Sequence, residues 1–166
     1  MIEKYCSECG NKLELKALDN EGIIPYCKRC NEFKFPKYSV AVSMIVINEE
    51  NNKILLIQQY NKPVYILVAG YVNKGESLEE ALKREIKEET GMSVDYCVYN
   101  KTKYFEPSNT LMCNFTAFVK NDKDFNPNRE IDSYSWFSFE DAKINIKENS
   151  LAKEFLLYYL DKNKDM

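Results

Sequence analysis

Four cysteines and a set of glutamates carry the chemistry available to this 166-residue chain, which contains no histidine. Without imidazole there is no Ser-His-Asp or Cys-His nucleophile and no His-ligated catalytic zinc, so acid–base work falls to carboxylates, Lys, Tyr, Cys or a bound metal. The cysteines stand as Cys6-Ser7-Glu8-Cys9-Gly10 and Cys27-Lys28-Arg29-Cys30, two C-x-x-C pairs with 17 residues between them. Each pair can set two thiolates on one tight turn, Gly10 lets the backbone pass beneath the sulfurs, and the two turns close a tetrahedral four-thiolate site for structural Zn2+. Four thiolates leave no position for water, and a doubled motif argues against a dithiol redox couple. A module of about 30 residues cannot bury enough apolar surface to fold alone, so the metal would supply its folding free energy. Cys97 and Cys113 lie in apolar, strand-like runs and read as buried free thiols.

The glutamates lie on a segment that must be helical. Ser77-Leu78-Glu79-Glu80 is a capping box, and Gly91 is placed to be the left-handed residue after the helix end. Helical periodicity puts Leu78, Leu82, Ile86 and Ala81 on one stripe, with Glu85 and Glu89 in the middle of it and Glu88 on its margin. Carboxylates on an inward face are costly through desolvation and mutual repulsion. Two readings follow from the helix alone. The acids hold a divalent cation such as Mg2+ or Mn2+, for which oxygen donors from successive turns are suited, or they form salt bridges with Arg84 and nearby lysines on a solvated helix end.

The elements that position these groups follow from the hydrophobic pattern. Apolar runs predict strands over 40–48, 53–59 and 64–72, the first two joined by a turn at Glu49-Glu50-Asn51-Asn52. A helix runs from Ser77 to Gly91, further strands cover 94–105, 111–120 and 134–139, and an apolar helix spans 151–160. Residues 121–129 form the most loop-like segment. The expected class is α/β (α+β), a mixed sheet flanked by helices behind a small cysteine module, with domains 1–36 and 37–166 divided at Pro36. A formal charge of −3 removes the broad positive field of non-specific nucleic-acid binding, so no strong nucleic-acid partner is expected. The first residues lack a leader's apolar core and no run nears the roughly 20 apolar residues of a membrane span, which excludes a membrane partner and predicts a cytoplasmic address.

One constellation joins these parts. Gly70, five residues, Glu76, seven residues, then Arg84-Glu85-Ile86-Lys87-Glu88-Glu89-Thr90-Gly91-Met92 fits G-x5-E-x7-R-E-U-x-E-E-x-G-U, U being apolar, at every defined position. The segment resembles the Nudix box, and the resemblance extends over most of 38–166. It implies an α/β/α sandwich and a hydrolase that cleaves a nucleoside diphosphate linked to another moiety, using Mg2+ or Mn2+. It also implies Glu85 and Glu89 as principal metal ligands, Glu88 as a further ligand or water-orienting acid, Arg84 as the residue that holds one of these acids, and Gly70 as the point where backbone approaches the metal. Glu76 would fix the loop to the helix. Glu130, in Arg129-Glu130-Ile131, resembles an acid that several Nudix enzymes bring from a downstream loop as ligand or base; it also reads as an ordinary loop glutamate.

A four-cysteine ribbon before such a domain resembles the NADH pyrophosphatase branch of the family, which splits NAD(H) into nicotinamide mononucleotide and AMP and can remove NAD caps from RNA. Ala69-Gly70-Tyr71-Val72 is similar to that branch's A-G-F-V, which implies Tyr71 as a base-stacking group; as a strand aromatic it reads equally as core. Thr102 to Thr110 stands where the branch carries S-Q-P-W-P-F-P-Q-S, keeping an aromatic at Phe105 and the following Leu111-Met112. The resemblance thus implies Phe105 as a second substrate contact. A small-molecule nucleotide is the expected partner. ADP-ribose, another nucleoside diphosphate derivative or a nucleoside triphosphate stay open as substrates, as do an RNA 5′-end hydrolase and a non-catalytic nucleotide-sensing or RNA-binding protein. The resemblance also suggests a homodimer.

Overall fold

In the computed structural model, which describes residues 4–163, the chain forms two compact units, Met1–Tyr38 and Ser39–Met166. Residues 1–3 and 164–166, the outer ends of the two expected domains and the start of the segment read against a leader, lie outside the described residues.

The first unit is a three-stranded antiparallel sheet of β1 (Glu14–Leu18), β2 (Gly22–Cys27) and β3 (Glu32–Phe33). Among its described residues the buried apolar groups are Cys6 and Cys27 alone, so no hydrophobic core supports it. The one buried charge, the Lys34 ammonium, is held by Glu8 at 2.8 Å and Glu32 at 2.7 Å.

The second unit is built on a long apolar strand, β4 (Ser39–Asn48), followed by β5 (Lys53–Gln59) and β6 (Val68–Tyr71). Then come α1 (Leu78–Thr90), β7 (Tyr96–Phe105), β8 (Thr110–Val119), β9 (Ile131–Phe137), α2 (Phe139–Asn145) and α3 (Leu151–Lys162). The sheet order is β7-β8-β4-β5-β9, with β6 paired to the first half of β4. β4 and β8 are parallel and the other pairs antiparallel, so the sheet is mixed. β4 reads as a continuous apolar run because both its faces are covered. Val42, Met44 and Val46 pack with Leu82 and Ile86 of α1, whereas Ile45 and Ile47 pack with Ala142 of α2 and Phe155 and Leu156 of α3. Helices on both faces of a mixed sheet give the expected α/β/α layering.

The expected third strand over 64–72 is shorter. Ile66 bridges Ile57 of β5, and two residues later Val68 pairs with Met44 of β4, so the segment changes partner and its ladder breaks. β9 starts at Ile131 rather than at 134 and ends before Phe139, which opens α2, a helix capped by Ser138 that the apolar pattern did not indicate. Among the described residues no helix is long and apolar enough to cross a membrane.

Candidate active site

The box helix begins and ends as its sequence dictates. The Ser77 hydroxyl accepts from the Glu80 amide, the Glu80 carboxylate accepts from the Ser77 amide, and Gly91 adopts φ 73° with its N–H on the Lys87 carbonyl. Against the buried stripe of Ala81, Leu82 and Ile86, Glu89 is buried, Glu85 is partly buried and Glu88 is exposed.

Arg84 organises one side of this carboxylate group. Its Nε and Nη2 donate to the two Glu76 oxygens at 2.7 and 2.9 Å, and Nη1 donates to Glu85 at 2.7 Å and to Glu88 at 3.2 Å. Nη2 also donates to the Tyr71 carbonyl at 3.0 Å, tying the end of β6 to the helix. Glu76 accepts the Asn73 amide as well, and the Arg84 fork with that amide holds its carboxyl down to about 2. The backbone at Gly70 makes room for an acid: a Cβ there would stand 1.9 Å from Cδ of Glu85 and 2.2 and 2.3 Å from its oxygens.

Among the described residues, no ion pair is formed on the opposite side. Glu89 is 4% exposed, and among the described residues its carboxylate accepts one hydrogen bond, from the Gln59 amide, Nε2 to Oε2 at 3.1 Å. Burial first, then the charges of Glu85, Glu130 and Glu88, push its carboxyl up to about 8 against the Gln59 bond. Glu130 reaches this neighbourhood because its loop docks on the end of α1. The Asn126 amide donates to the Thr90 carbonyl at 2.8 Å and the Asn128 amide to the Glu89 carbonyl at 2.9 Å, and the Asn128 side chain then accepts the Glu130 amide at 2.9 Å. These bonds also satisfy carbonyls that the helix end leaves open.

A divalent cation suits this set. The donors are hard oxygens, and three acids around a nearly buried carboxyl without a cationic partner are what a dication would relieve. Among the described residues the only group of three or more potential ligands whose atoms all lie within 4.8 Å of one another is Cys6, Cys9, Cys27 and Cys30. That cluster has knuckle geometry. The Cys30 amide points to the Cys27 sulfur at 3.4 Å, and Gly10, at φ 71°, donates to the Cys6 carbonyl. Backbone amides, led by that of Glu8, bring the Cys6 thiol down to about 7, while contact with Cys9 and burial drive Cys30 up to about 12. One thiolate forms readily and the last is opposed, a conflict that a thiophilic dication removes.

Tyr71 and Phe105 share the sheet face opposite α1. Gly70 pairs with Val42 on the α1 side, so Tyr71, paired with Ala41, points the other way and is 57% exposed. Phe105 reaches the same face through a bulge at Asn100, whose buried side chain donates to Asn114 and Thr116. It borders a cavity of about 470 Å3 together with Lys103 and the first turn of α3. The carboxylates and these aromatics are thus placed on different faces of one sheet. Cys97 and Cys113 are free thiols, Cys113 buried and Cys97 partly so. Gln59 was not indicated as a site residue; its signal is that of a polar group at the end of an apolar strand, in phase with Leu55 and Ile57, which pack under α1.

The NUDIX domain model matches residues 37–159. The chain belongs to the NUDIX family. It is 34% identical over 152 residues to "Nudix hydrolase 19, chloroplastic" of Arabidopsis thaliana, covering 86% of this chain and 34% of that protein. It is 28% identical over 159 residues to the NAD-capped RNA hydrolase NudC of Pseudomonas aeruginosa strain LESB58, covering 95% and 55%. The chain therefore spans between a third and just over half of the length of these relatives. Among solved structures, a NUDIX hydrolase from Nitrosomonas europaea matches with a TM-score of 0.65 at 22% identity over 98% of this chain and 93% of that one. A C. elegans Ap4A hydrolase matches at 0.63 and 21%, over 76% and 99%, so the NUDIX fold is shared.

Proposed function

We propose that this NUDIX protein hydrolyses the diphosphate bond of a nucleoside diphosphate derivative in a reaction dependent on Mg2+ or Mn2+, with NAD(H) or a related dinucleotide as substrate, and that its cysteine cluster holds structural Zn2+. The observation that carries the reading is the nearly buried Glu89, crowded by Glu85, Glu88 and Glu130, while Arg84 bonds Glu76, Glu85 and Glu88. Glu85 and Glu89 would hold the cation, which neutralises diphosphate oxygens, polarises phosphorus and lowers the pKa of a water.

The chain's own residues do the rest. Arg84 fixes the Glu85 carboxylate and, through the Tyr71 carbonyl, the end of β6. In a protein without histidine, the proton of the attacking water passes to a carboxylate, and the exposed Glu88 and Glu130 are placed to accept it. Tyr71 stacks on a base of the substrate, beside the small Ala41 in a row that continues across the sheet through Met112 and Lys103. Relatives named NAD-capped RNA hydrolase support the dinucleotide substrate. The Thr102–Thr110 segment, which lacks most of the branch's S-Q-P-W-P-F-P-Q-S, favours a second reading, ADP-ribose or another nucleoside diphosphate derivative.

The test is a hydrolysis panel with Mg2+ and Mn2+ over NADH, NAD+, ADP-ribose, diadenosine polyphosphates and nucleoside triphosphates. NADH cleaved best, to AMP and reduced nicotinamide mononucleotide, is the expected result; a better diphosphate shifts the substrate to the second reading. The Glu89→Gln variant should lose turnover and keep its fold, and undiminished turnover would sink the assignment.

A further inference from the structure

Two flanks of the carboxylate group are held by different chemistry. On one, the Arg84 guanidinium donates to Glu76, Glu85 and Glu88 and so offsets their charge. On the other, among the described residues the Glu89 carboxylate receives only a carboxamide N–H, from Gln59, a residue itself 8% exposed. An amide donor fixes a carboxylate oxygen without neutralising it, whereas a lysine or arginine there would form an ion pair and compete with any cation for Glu89.

The surrounding backbone is arranged to hold Gln59 still. Along β5 and β9 the pairing is regular through Gln58 and Ser133, then shifts so that Gln59 faces Ile131 and Asp132 is left as the extra residue. By the alternation of β5, Gln59 stays in phase with Leu55 and Ile57 on the α1 side, and the shift brings Ile131 of the same core opposite it. The spare Asp132 carboxylate accepts the Asn61 amide at 2.6 Å. That amide belongs to a turn in which Tyr60 (φ 58°) and Asn61 (φ 54°) are both left-handed and the Lys62 N–H returns to the Gln59 carbonyl at 3.2 Å. A bulky aromatic in the left-handed region is strained and persists where its surroundings over-determine it. The strained turn and its Asp132 clamp therefore fix the backbone at the Gln59 carbonyl, while burial and the bond to Glu89 hold its side chain.

We propose that Gln59 is a positioning residue for the metal centre: its amide orients the Glu89 carboxylate through a neutral donor, so that the carboxylate presents its other oxygen, with its charge intact, to a divalent cation. The inference rests on the metal-centre reading of the box acids. Partners that orient a ligand typically carry a 10–100-fold effect on metal affinity when lost.

The test uses the full chain prepared with zinc, and follows Mn2+ binding by electron paramagnetic resonance alongside thermal denaturation without Mn2+. Gln59→Met, which keeps length and removes the donor, should weaken Mn2+ binding by about 10–100-fold. Gln59→Lys should weaken it at least as much while raising the melting temperature of the Mn2+-free protein, because the new cation pairs with Glu89. A role in packing alone predicts the reverse for lysine, a lower melting temperature with little change in Mn2+ affinity. Normal Mn2+ binding in both variants would overturn the assignment of Gln59 and leave the metal centre standing. Absence of Mn2+ binding in the unaltered chain would overturn the metal centre and this inference with it.

Discussion

Gly70→Ala isolates the geometry of the carboxylate group from the stability of the fold. The added Cβ would stand 1.9 Å from Cδ of Glu85, so that carboxylate must retreat by about 1.5 Å to regain the 3.4 Å of ordinary contact. The same carboxylate accepts from Arg84 at 2.7 Å, and a retreat of that size carries it out of hydrogen-bond range. For folding this is a small loss, because the moving atoms are the end of a flexible side chain and one member of a partly exposed ion pair, which is worth about 1 kcal/mol or less. For catalysis it is large. Displacing a reacting or ligating group by about 1 Å can cost about 10²-fold in rate, or about 2.7 kcal/mol of activation free energy. The expected outcome is a kcat/KM on the best diphosphate substrate reduced about 10²-fold, with the melting temperature lowered by only a few degrees. Gly75→Ala is the control. Gly75 has φ 90° and nothing within 4 Å of its absent Cβ, so alanine there strains the backbone, lowers stability by about 1 kcal/mol and spares activity. A Gly70→Ala protein that keeps activity within about threefold, or one that loses activity no more than Gly75→Ala does, would refute the reasoning.

Other consequences are more local. Removing metal with a strong chelator, or replacing Cys27 with Ser, should abolish amide protection across residues 4–38 and leave 39–163 protected; hydrogen exchange reads this directly, and a first unit that stays protected would mean that β1–β3 hold without metal. Arg84→Lys replaces a fork that reaches Glu76, Glu85, Glu88 and the Tyr71 carbonyl with one ammonium, and should lower kcat/KM by about 10–100-fold; activity retained in full would show that the fork is dispensable. Glu154 is held below the usual carboxylate range, first by its bond to Lys103 and then by the charges of Lys103 and Lys101. A depressed folded-state pKa contributes stability that is present above the unfolded value and is lost as pH falls through the folded one. Glu154→Gln should therefore lower stability at pH 7 by less than about 1 kcal/mol, since the pair is partly exposed, and the difference should vanish on acidification; a difference that grows in acid contradicts the sign.

Side-chain type and spacing made the first layer of the site legible. Ser77 and Gly91 bound the helix, the 3.6-residue period exposed Glu85 and Glu89 as acids on an apolar face, and the spacing of Cys6, Cys9, Cys27 and Cys30 foretold a cluster in which all four sulfurs converge. The sheet was legible where two long strands pair without a break along their whole length, as β4 and β8 do. It was not where the chain changes partner, as between Ile66 and Val68, because the hydrophobic pattern reports burial and not the identity of the neighbouring strand.

The second layer of the site was hidden for a related reason. Gln59 bonds the Glu89 carboxylate, Asp132 the Asn61 amide, and Asn128 the Glu89 carbonyl and the Glu130 amide, and these contacts arise at features that no run of residue types encodes: a register shift between β5 and β9, a left-handed turn at Tyr60 and Asn61, and a loop docked on helix carbonyls. Glu130 shows the dependence most clearly. Within its own segment it is one loop acid among polar neighbours, and it becomes part of the carboxylate group only because the Asn126 and Asn128 amides find the carbonyls of Thr90 and Glu89 at the end of α1. Gly91 makes that docking feasible, since a Cβ there would meet the Asp124 carbonyl at 2.8 Å. The helix stop and the approach of the fourth acid are therefore one event: the same left-handed glycine that ends α1 leaves the space through which the loop carrying Glu130 reaches Glu89.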